Sequence, residues 1–169
     1  MRRTTLAISS LFALPLLAAA PDVAVAGPPW ISIELPANPY DASTRGAYLV
    51  VHAFHHGTPI GIPVSGRAEG LVNGQRKSVT LKFQPTERPG VYALANQWGD
   101  EGEWTLMITV SQGPKDTGAT ALVQISGGQV FSVTVPTEKR DNWTVPRAVT
   151  LADVEATLRD RPSRVASRR

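Results

Sequence analysis

The chain has 169 residues, a formal net charge of +3, 42% hydrophobic and 18% charged residues, 14 Gly, 14 Pro and no Cys. This length suits one domain, and the apolar fraction excludes a chain that is disordered throughout. The absence of Cys excludes a disulfide framework, a thiolate zinc site and a cysteine nucleophile.

Residues 1–26 have the features of a cleaved export signal. They begin with MRR, continue with an apolar run from Leu6 to Ala20 and end with the small-x-small pattern AVA. The run of about 15 residues is shorter than the roughly 20 that a membrane-spanning helix needs. We therefore expect cleavage after Ala26 and a mature protein that starts at Gly27, has no transmembrane segment and is periplasmic or secreted.

The basic charge is concentrated at the end of the chain. Removing residues 1–26 takes away two Arg and one Asp and leaves a net charge of +2. Residues 159–169 hold five Arg and one Asp, a net +4, so residues 27–158 carry about −2. The body of the protein is therefore not predicted to bind nucleic acid. The tail is either a solvated terminus or a peripheral contact with an anionic membrane surface.

The middle of the chain alternates between apolar and polar residues, with turn residues every 8–12 positions, which is typical of short strands. Asn73-Gly74 is a strong hairpin signal. The predicted strands are Trp30–Leu35, Ala47–His55, Val64–Val72, Lys77–Gln84, Val91–Asn96, Glu103–Val110, Ala119–Ile125 and Gln129–Val135. Because no helical segment lies between them to provide crossovers, a parallel sheet is excluded. The sequence predicts an all-β, antiparallel, immunoglobulin-like β-sandwich of about seven or eight strands over residues 27–136.

Two of these strands identify the expected core. Ala47–His55 is apolar on both faces, which is typical of a central strand that is covered on each side. In Glu103–Val110 the side chains of Trp104, Leu106, Ile108 and Val110 share one face. We expect Trp104 to fill the centre of the core.

Residues 137–169 are predicted to form a linker, a short helix and a disordered, Arg-rich tail. The linker is polar apart from Trp143, which we expect to pack back on the sandwich. Thr150 and Asp153 have capping-box spacing. The apolar residues of the helix then form one stripe, which must pack on the sandwich or on a partner because a helix of about ten residues is marginal alone; they are Leu151, Val154 and Leu158.

Three short motifs lie between Gly57 and Val110: Gly57-x-Pro59, PGVY at 89–92 and GEWTL at 102–106. In these motifs the chain resembles the YtkA-like group of small exported immunoglobulin-type modules, which are akin to copper-resistance periplasmic sandwich domains. The resemblance covers about 55 residues and implies an accessory or metal-handling module. Met107 is the only Met outside the signal, which departs from Met-rich members and excludes a thioether-rich copper(I) site.

All three histidines of the chain lie within five residues, at His52, His55 and His56. Imidazole is a ligand for copper(II) and zinc, so this cluster is the candidate metal site. In a regular strand, His52 and His56 lie about 13 Å apart and His55 points to the opposite face. Only a kink at Gly57, or ligands from another strand, would bring two imidazoles to one ion. The alternative is a solvent-facing pair at the strand end, with His52 hydrogen-bonded on the sheet.

Acidic residues crowd a glycine-flanked loop beside Trp98: Asp100, Glu101 and Glu103. Hard cations take several oxygen ligands, so calcium binding is one interpretation, and an acidic loop that aids solubility is the other. We also predict that Trp98, Asp100, Glu101 and Trp143 form an exposed contact surface.

The chain has no Gly-x-Ser-x-Gly elbow, no H-E-x-x-H motif and no phosphate-binding loop, and we predict that it is not an enzyme. The sequence predicts a non-catalytic, exported binding or accessory module of the bacterial cell envelope, with no cofactor, whose partner is another envelope protein. The alternative is a periplasmic accessory protein that handles copper or zinc through His52, His55 and His56.

Overall fold

The computed structural model describes residues 27–113 and 118–160. The predicted signal at 1–26 and the Arg-rich tail beyond residue 160 lie outside the described residues. Among those that are described, no helix is long and apolar enough to cross a membrane.

The described chain contains twelve strands, one short 3-10 turn at Ala42–Thr44 and one α-helix. In chain order they are β1 (Trp30–Glu34), β2 (Leu49–His55), β3 (Thr58–Pro59), β4 (Val64–Val72), β5 (Gln75–Thr80), β6 (Gln84–Pro85), β7 (Val91–Leu94), β8 (Glu103–Val110), β9 (Ala119–Ser126), β10 (Gln129–Thr134), β11 (Thr137–Arg140), β12 (Trp143–Pro146) and α1 (Leu151–Arg159). The eight longer strands up to β10 correspond to the eight predicted ones.

Two antiparallel sheets form the body of the protein. The first has the order β1-β2-β7-β6, with β3 paired to β2, and the second has the order β10-β9-β8-β4-β5. The immunoglobulin fold has strands A, B, E and D in one sheet and C, F and G in the other. Here β1-β2-β7-β6 follows the A-B-E-D order and β9-β8-β4 follows G-F-C, with β10 and β5 added at the two edges. The predicted antiparallel immunoglobulin-like sandwich is therefore confirmed.

The core lies between the inward faces of the two sheets. In β2 the inward residues are Leu49, Val51 and Ala53, all fully buried. In β8 they are Trp104, Leu106, Ile108 and Val110, as the alternation predicted. The Trp104 ring lies over its cross-strand neighbour Gly70 in β4. A Cβ atom at Gly70 would be 2.3 Å from Cε3 of that ring, so only glycine leaves room for it.

The chain changes sheets within the segment that was predicted as the single strand Lys77–Gln84. Strand β5 ends at Thr80, and the Leu81 N–H donates to the Gly66 carbonyl oxygen at 3.0 Å. The chain then enters the first sheet as β6. Leu81 lies in the core, and Val79 and Phe83 pack against it. The prediction of one continuous strand there was wrong, because the segment closes the side of the sandwich.

Residues 137–146 form the hairpin of β11 and β12, a separate two-stranded sheet, where a linker was predicted. Asp141 at the turn has a φ of +53°, and such left-handed turn residues favour tight hairpins. Trp143 is 76% exposed on this hairpin. The expectation that it packs back on the sandwich is therefore wrong.

Helix α1 begins with the predicted capping box. The Asp153 N–H donates to Oγ1 of Thr150 at 3.2 Å, and the Thr150 N–H donates to the Asp153 carboxylate at 2.8 Å. Val154 and Leu158 are buried, whereas Leu151 is exposed, so the predicted stripe holds at two of its three positions.

The helix packs on the outer face of the second sheet. The hydroxyls of Thr157 and Thr105 are 2.8 Å apart, and Nε2 of Gln124 donates to the Thr157 carbonyl at 2.8 Å. Arg76 of β5 also pairs with Glu155. The protein's own sheet therefore supplies the surface that the short helix requires.

We expect Gly70→Ala to lower the free energy of unfolding by about 1–3 kcal/mol, because the new methyl group collides with the Trp104 ring. Urea unfolding followed by tryptophan fluorescence measures this change. The control is Gly61→Ala, since a Cβ at Gly61 has no neighbour within 4 Å; its stability should be unchanged or higher by up to about 1 kcal/mol. Equal stabilities of the two variants would contradict this packing.

We expect Asp153→Asn to destabilise the helix in a pH-dependent way. Two hydrogen bonds from Arg147, at 2.7 and 2.8 Å, are the largest cause that holds the pKa of the Asp153 carboxyl well below its usual range. A lowered pKa stabilises the fold above the unfolded-state pKa of about 3.9, and the gain is lost as the pH falls below it.

The difference between wild type and Asp153→Asn should thus be constant from pH 7 to pH 5 and smaller at pH 3. Urea unfolding followed by circular dichroism at these three pH values measures it. Asp160→Asn, at the other end of the helix, is the control and should differ little from wild type at any of them. A difference that grows on acidification would refute the proposed role of this carboxylate.

Candidate binding cleft and histidine pair

The loop between β7 and β8, residues 95–102, covers one end of the sandwich as the chain passes from the first sheet to the second. Asn96 organises it: its Oδ1 accepts the N–H groups of Trp98 and Gly99 at 3.2 and 3.1 Å, and its Nδ2 donates to Asp100 at 2.7 Å. Gly102, with a φ of +84°, lies so close to β4 that a Cβ would be 2.6 Å from the Leu71 carbonyl oxygen. The loop is therefore fixed by local bonds and by contact with the second sheet.

Trp98 is a core residue and not an exposed contact aromatic, so that prediction was wrong. Only 6% of Trp98 is exposed, and its ring meets Tyr48 edge to face at a centroid distance of 5.1 Å. The alternation rule does not apply to a loop, and this loop must close the open end of the core with a large apolar side chain. Nε1 of Trp98 is the one buried side-chain polar atom without a hydrogen-bond partner in residues 27–113 and 118–160.

A cleft of about 400 Å³ lies beside this loop. Its lining combines both aromatic core residues of this end with one cation and two carboxylates: Val72, Lys77, Trp98, Gly99, Asp100, Glu101 and Trp104. Nε1 of Trp104 donates to the Glu101 carbonyl at 2.8 Å, which ties the acidic loop to the core. Asp100 and Glu101 are exposed, as predicted.

The cleft is electrically mixed and suits a polar ligand. Lys77 provides donors and the two carboxylates provide acceptors. Tyr48 lies under the loop and donates its hydroxyl to the Gly128 carbonyl at 2.8 Å. Burial and the nearby Asp100 charge raise the pKa of Tyr48, so it remains a neutral donor at physiological pH.

The calcium interpretation of the acidic loop is not supported. Asp100 is bonded to Asn96, and Glu103 accepts the Ser126 hydroxyl at 3.0 Å on the second sheet. In the part of the chain that the structure describes, no three His, Cys, Asp or Glu side chains are grouped to hold a metal ion. Trp143 does not line the cleft, so the predicted contact surface is not one continuous site.

The three histidines lie in two places: His52 is separate, whereas His55 and His56 form a pair. His52 is on the outer face of the first sheet, where its Nε2 is 2.8 Å from Oε2 of Glu34 and its ring stacks on Phe54. This hydrogen bond is the largest cause of the lowered pKa of Glu34. The expected metal cluster of His52, His55 and His56 is therefore not formed, because His52 points away from the strand end.

His55 and His56 are adjacent, with ring centroids 4.3 Å apart. Nε2 of His55 is 2.9 Å from the carbonyl oxygen of Gly27. His56 has a φ of +50°, and Gly57 follows with +77°. This kink at the end of β2 brings together two side chains that a regular strand would point in opposite directions.

Two site features escaped prediction from the sequence. Lys77 joins the cleft because it pairs with Gly70 across the β4–β5 hairpin, and the Asn73-Gly74 turn signal together with strand register would have placed it there. Gly27 reaches the histidines because β1 pairs antiparallel with β2, Trp30 opposite Phe54. That pairing has no local signal in the sequence.

Comparisons with protein-family models, with curated proteins and with solved structures find no match for this chain.

The exposure of the four tryptophans predicts how iodide quenches the protein's fluorescence. Trp143→Phe should remove the largest part of the quenchable emission, because Trp143 is the most exposed. Trp98→Phe should leave the quenchable part unchanged, since iodide does not reach a buried ring. Stern–Volmer plots of both variants measure this, and a loss of quenching in Trp98→Phe would contradict the buried position.

Proposed function

We propose that this protein is an exported, non-catalytic binding module of the bacterial cell envelope, and that the cleft beside residues 98–101 is its contact site. The export signal in residues 1–26 and the resemblance of three motifs to YtkA-like exported modules support the location and the accessory role. The observation that carries the proposal is the cleft itself, a preformed, mixed polar and aromatic concavity at one end of a rigid sandwich.

The partner we propose is another envelope protein. Asp100, Glu101 and Lys77 offer it charged hydrogen-bonding groups around aromatic walls, and the body of the chain has too little positive charge for a nucleic acid. The basic tail contributes at most a peripheral contact with the membrane surface.

The second candidate is a periplasmic accessory protein that handles copper or zinc. The contact between the rings of His55 and His56, 4.3 Å apart by their centroids, favours this role. The two candidates use opposite ends of the sandwich. The cleft lies near Tyr48, just before β2, whereas His55 is the last residue of β2 and His56 follows it.

Site-specific photocrosslinking in the bacterium that carries the gene tests the first candidate. A benzophenone amino acid at Glu101 should crosslink to an envelope protein, whereas the same group at Glu87, in the exposed loop at the other end, should not. Asp100→Ala and Lys77→Ala should weaken the crosslink at position 101. The proposal would be overturned if positions 101 and 87 gave the same crosslinked product in equal amounts. It would also be overturned if Asp100→Ala and Lys77→Ala left the crosslink at position 101 unchanged.

A further inference from the structure

The chain before β1 meets the histidine pair at the end of β2. Because β1 runs antiparallel to β2, residues just before Trp30 pass the residues that follow Phe54. The Gly27 carbonyl oxygen is 2.9 Å from Nε2 of His55. A Cβ on Gly27 would be 3.9 Å from Nε2 of His56. The α-nitrogen of Gly27 is bonded to the same Cα as that Cβ would be, and it therefore also lies near the two imidazoles.

Gly27 is also the residue that the predicted cleavage after Ala26 would leave at the N-terminus. Its nitrogen would then be a primary amine, whose pKa is about 7.7–8.0, and not an amide. A free amine and two imidazoles are three nitrogen donors of the type that copper(II) prefers among divalent metals. Pro28 and Pro29 follow, and proline has no backbone N–H, so the terminus has no neighbouring amides to offer a metal and must use the imidazoles.

The spacing of the two rings fits one metal ion. Two imidazole nitrogens in neighbouring coordination positions, each about 2.0–2.1 Å from the ion, put their ring centroids about 4.5 Å apart. The observed centroid distance of His55 and His56 is 4.3 Å. Among the described residues, the His56 side chain makes no hydrogen bond or ion pair and contacts the His55 ring. The His55 bond to the Gly27 carbonyl can be exchanged for a metal bond without displacing a charged partner.

We propose that the α-amino nitrogen of Gly27 and the imidazoles of His55 and His56 form a copper(II) site in the processed protein, with solvent or the Gly27 carbonyl completing the coordination. This site rests on the export and cleavage proposed above. It excludes His52, whose Nε2 is held by Glu34. Only two of its three ligands are side chains, and the third is a backbone amine that exists only after cleavage.

The test uses the exported product of the full-length chain. The chain is expressed with its own leader in a bacterial host, the periplasmic product is purified, and mass spectrometry determines its first residue. Copper(II) chloride is then titrated and followed by calorimetry and electron paramagnetic resonance. We expect a product that starts at Gly27, one copper ion per chain and hyperfine splitting from several nitrogen ligands.

Single-residue variants distinguish the loss of a copper ligand from the loss of the fold. His55→Ala and His56→Ala should each weaken copper binding at least about tenfold, and acetylation of the Gly27 amine should do the same. His52→Ala is the matched control from the same strand and should bind copper like wild type. Circular dichroism checks that each variant is folded.

The outcomes distinguish a failure of the copper site from a failure of the proposed exported binding module. A product that starts at Gly27 but binds no copper, or binds it equally well after amine acetylation, overturns the metal site and leaves the exported binding module intact. A product that remains in the cytoplasm with its leader attached overturns export and the amine ligand together. Loss of binding in His52→Ala alone would overturn the assigned ligand set.

Discussion

The position of the Trp104 indole over Gly70 is the constraint on which the rest of this structure depends. The ring fills the space between the sheets because its cross-strand neighbour has no side chain. A Cβ at position 70 would lie 2.3 Å from Cε3 of the ring, so no residue other than glycine fits there. The same indole donates its N–H to the Glu101 carbonyl. One side chain therefore sets the packing of the second sheet and fixes the acidic loop that forms the cleft.

The sequence predicted the parts of the fold that follow from periodicity. In β8, alternation placed Trp104 and its neighbours in the core, and in α1 the spacing of Thr150 and Asp153 predicted the cap. Both signals are local, because burial of one face and satisfaction of free N–H groups depend on residues within one turn or a few positions.

Prediction was weakest where long-range pairing decides the result. Trp98 was expected at the surface because its loop is rich in glycine and acidic residues, yet the end of the core needs a large apolar side chain there. The linker around Trp143 has strand-forming residues but few apolar ones, so the hairpin was missed. The proximity of Gly27 to His55 depends on the pairing of β1 with β2, and the kink depends on a left-handed histidine, a conformation that few residues adopt.

Strand β2 links the two proposed sites, and its pairing on both sides bears on whether one site influences the other. It separates the cleft beside Tyr48 from the histidine pair by about 23 Å of extended chain, and its first three residues are fully buried. β2 is a central strand that pairs with both β1 and β7, so a shift of its register would break the pairing on both sides. If both proposed sites bind their ligands, we therefore expect occupancy of the cleft to leave the copper affinity of the histidine pair unchanged.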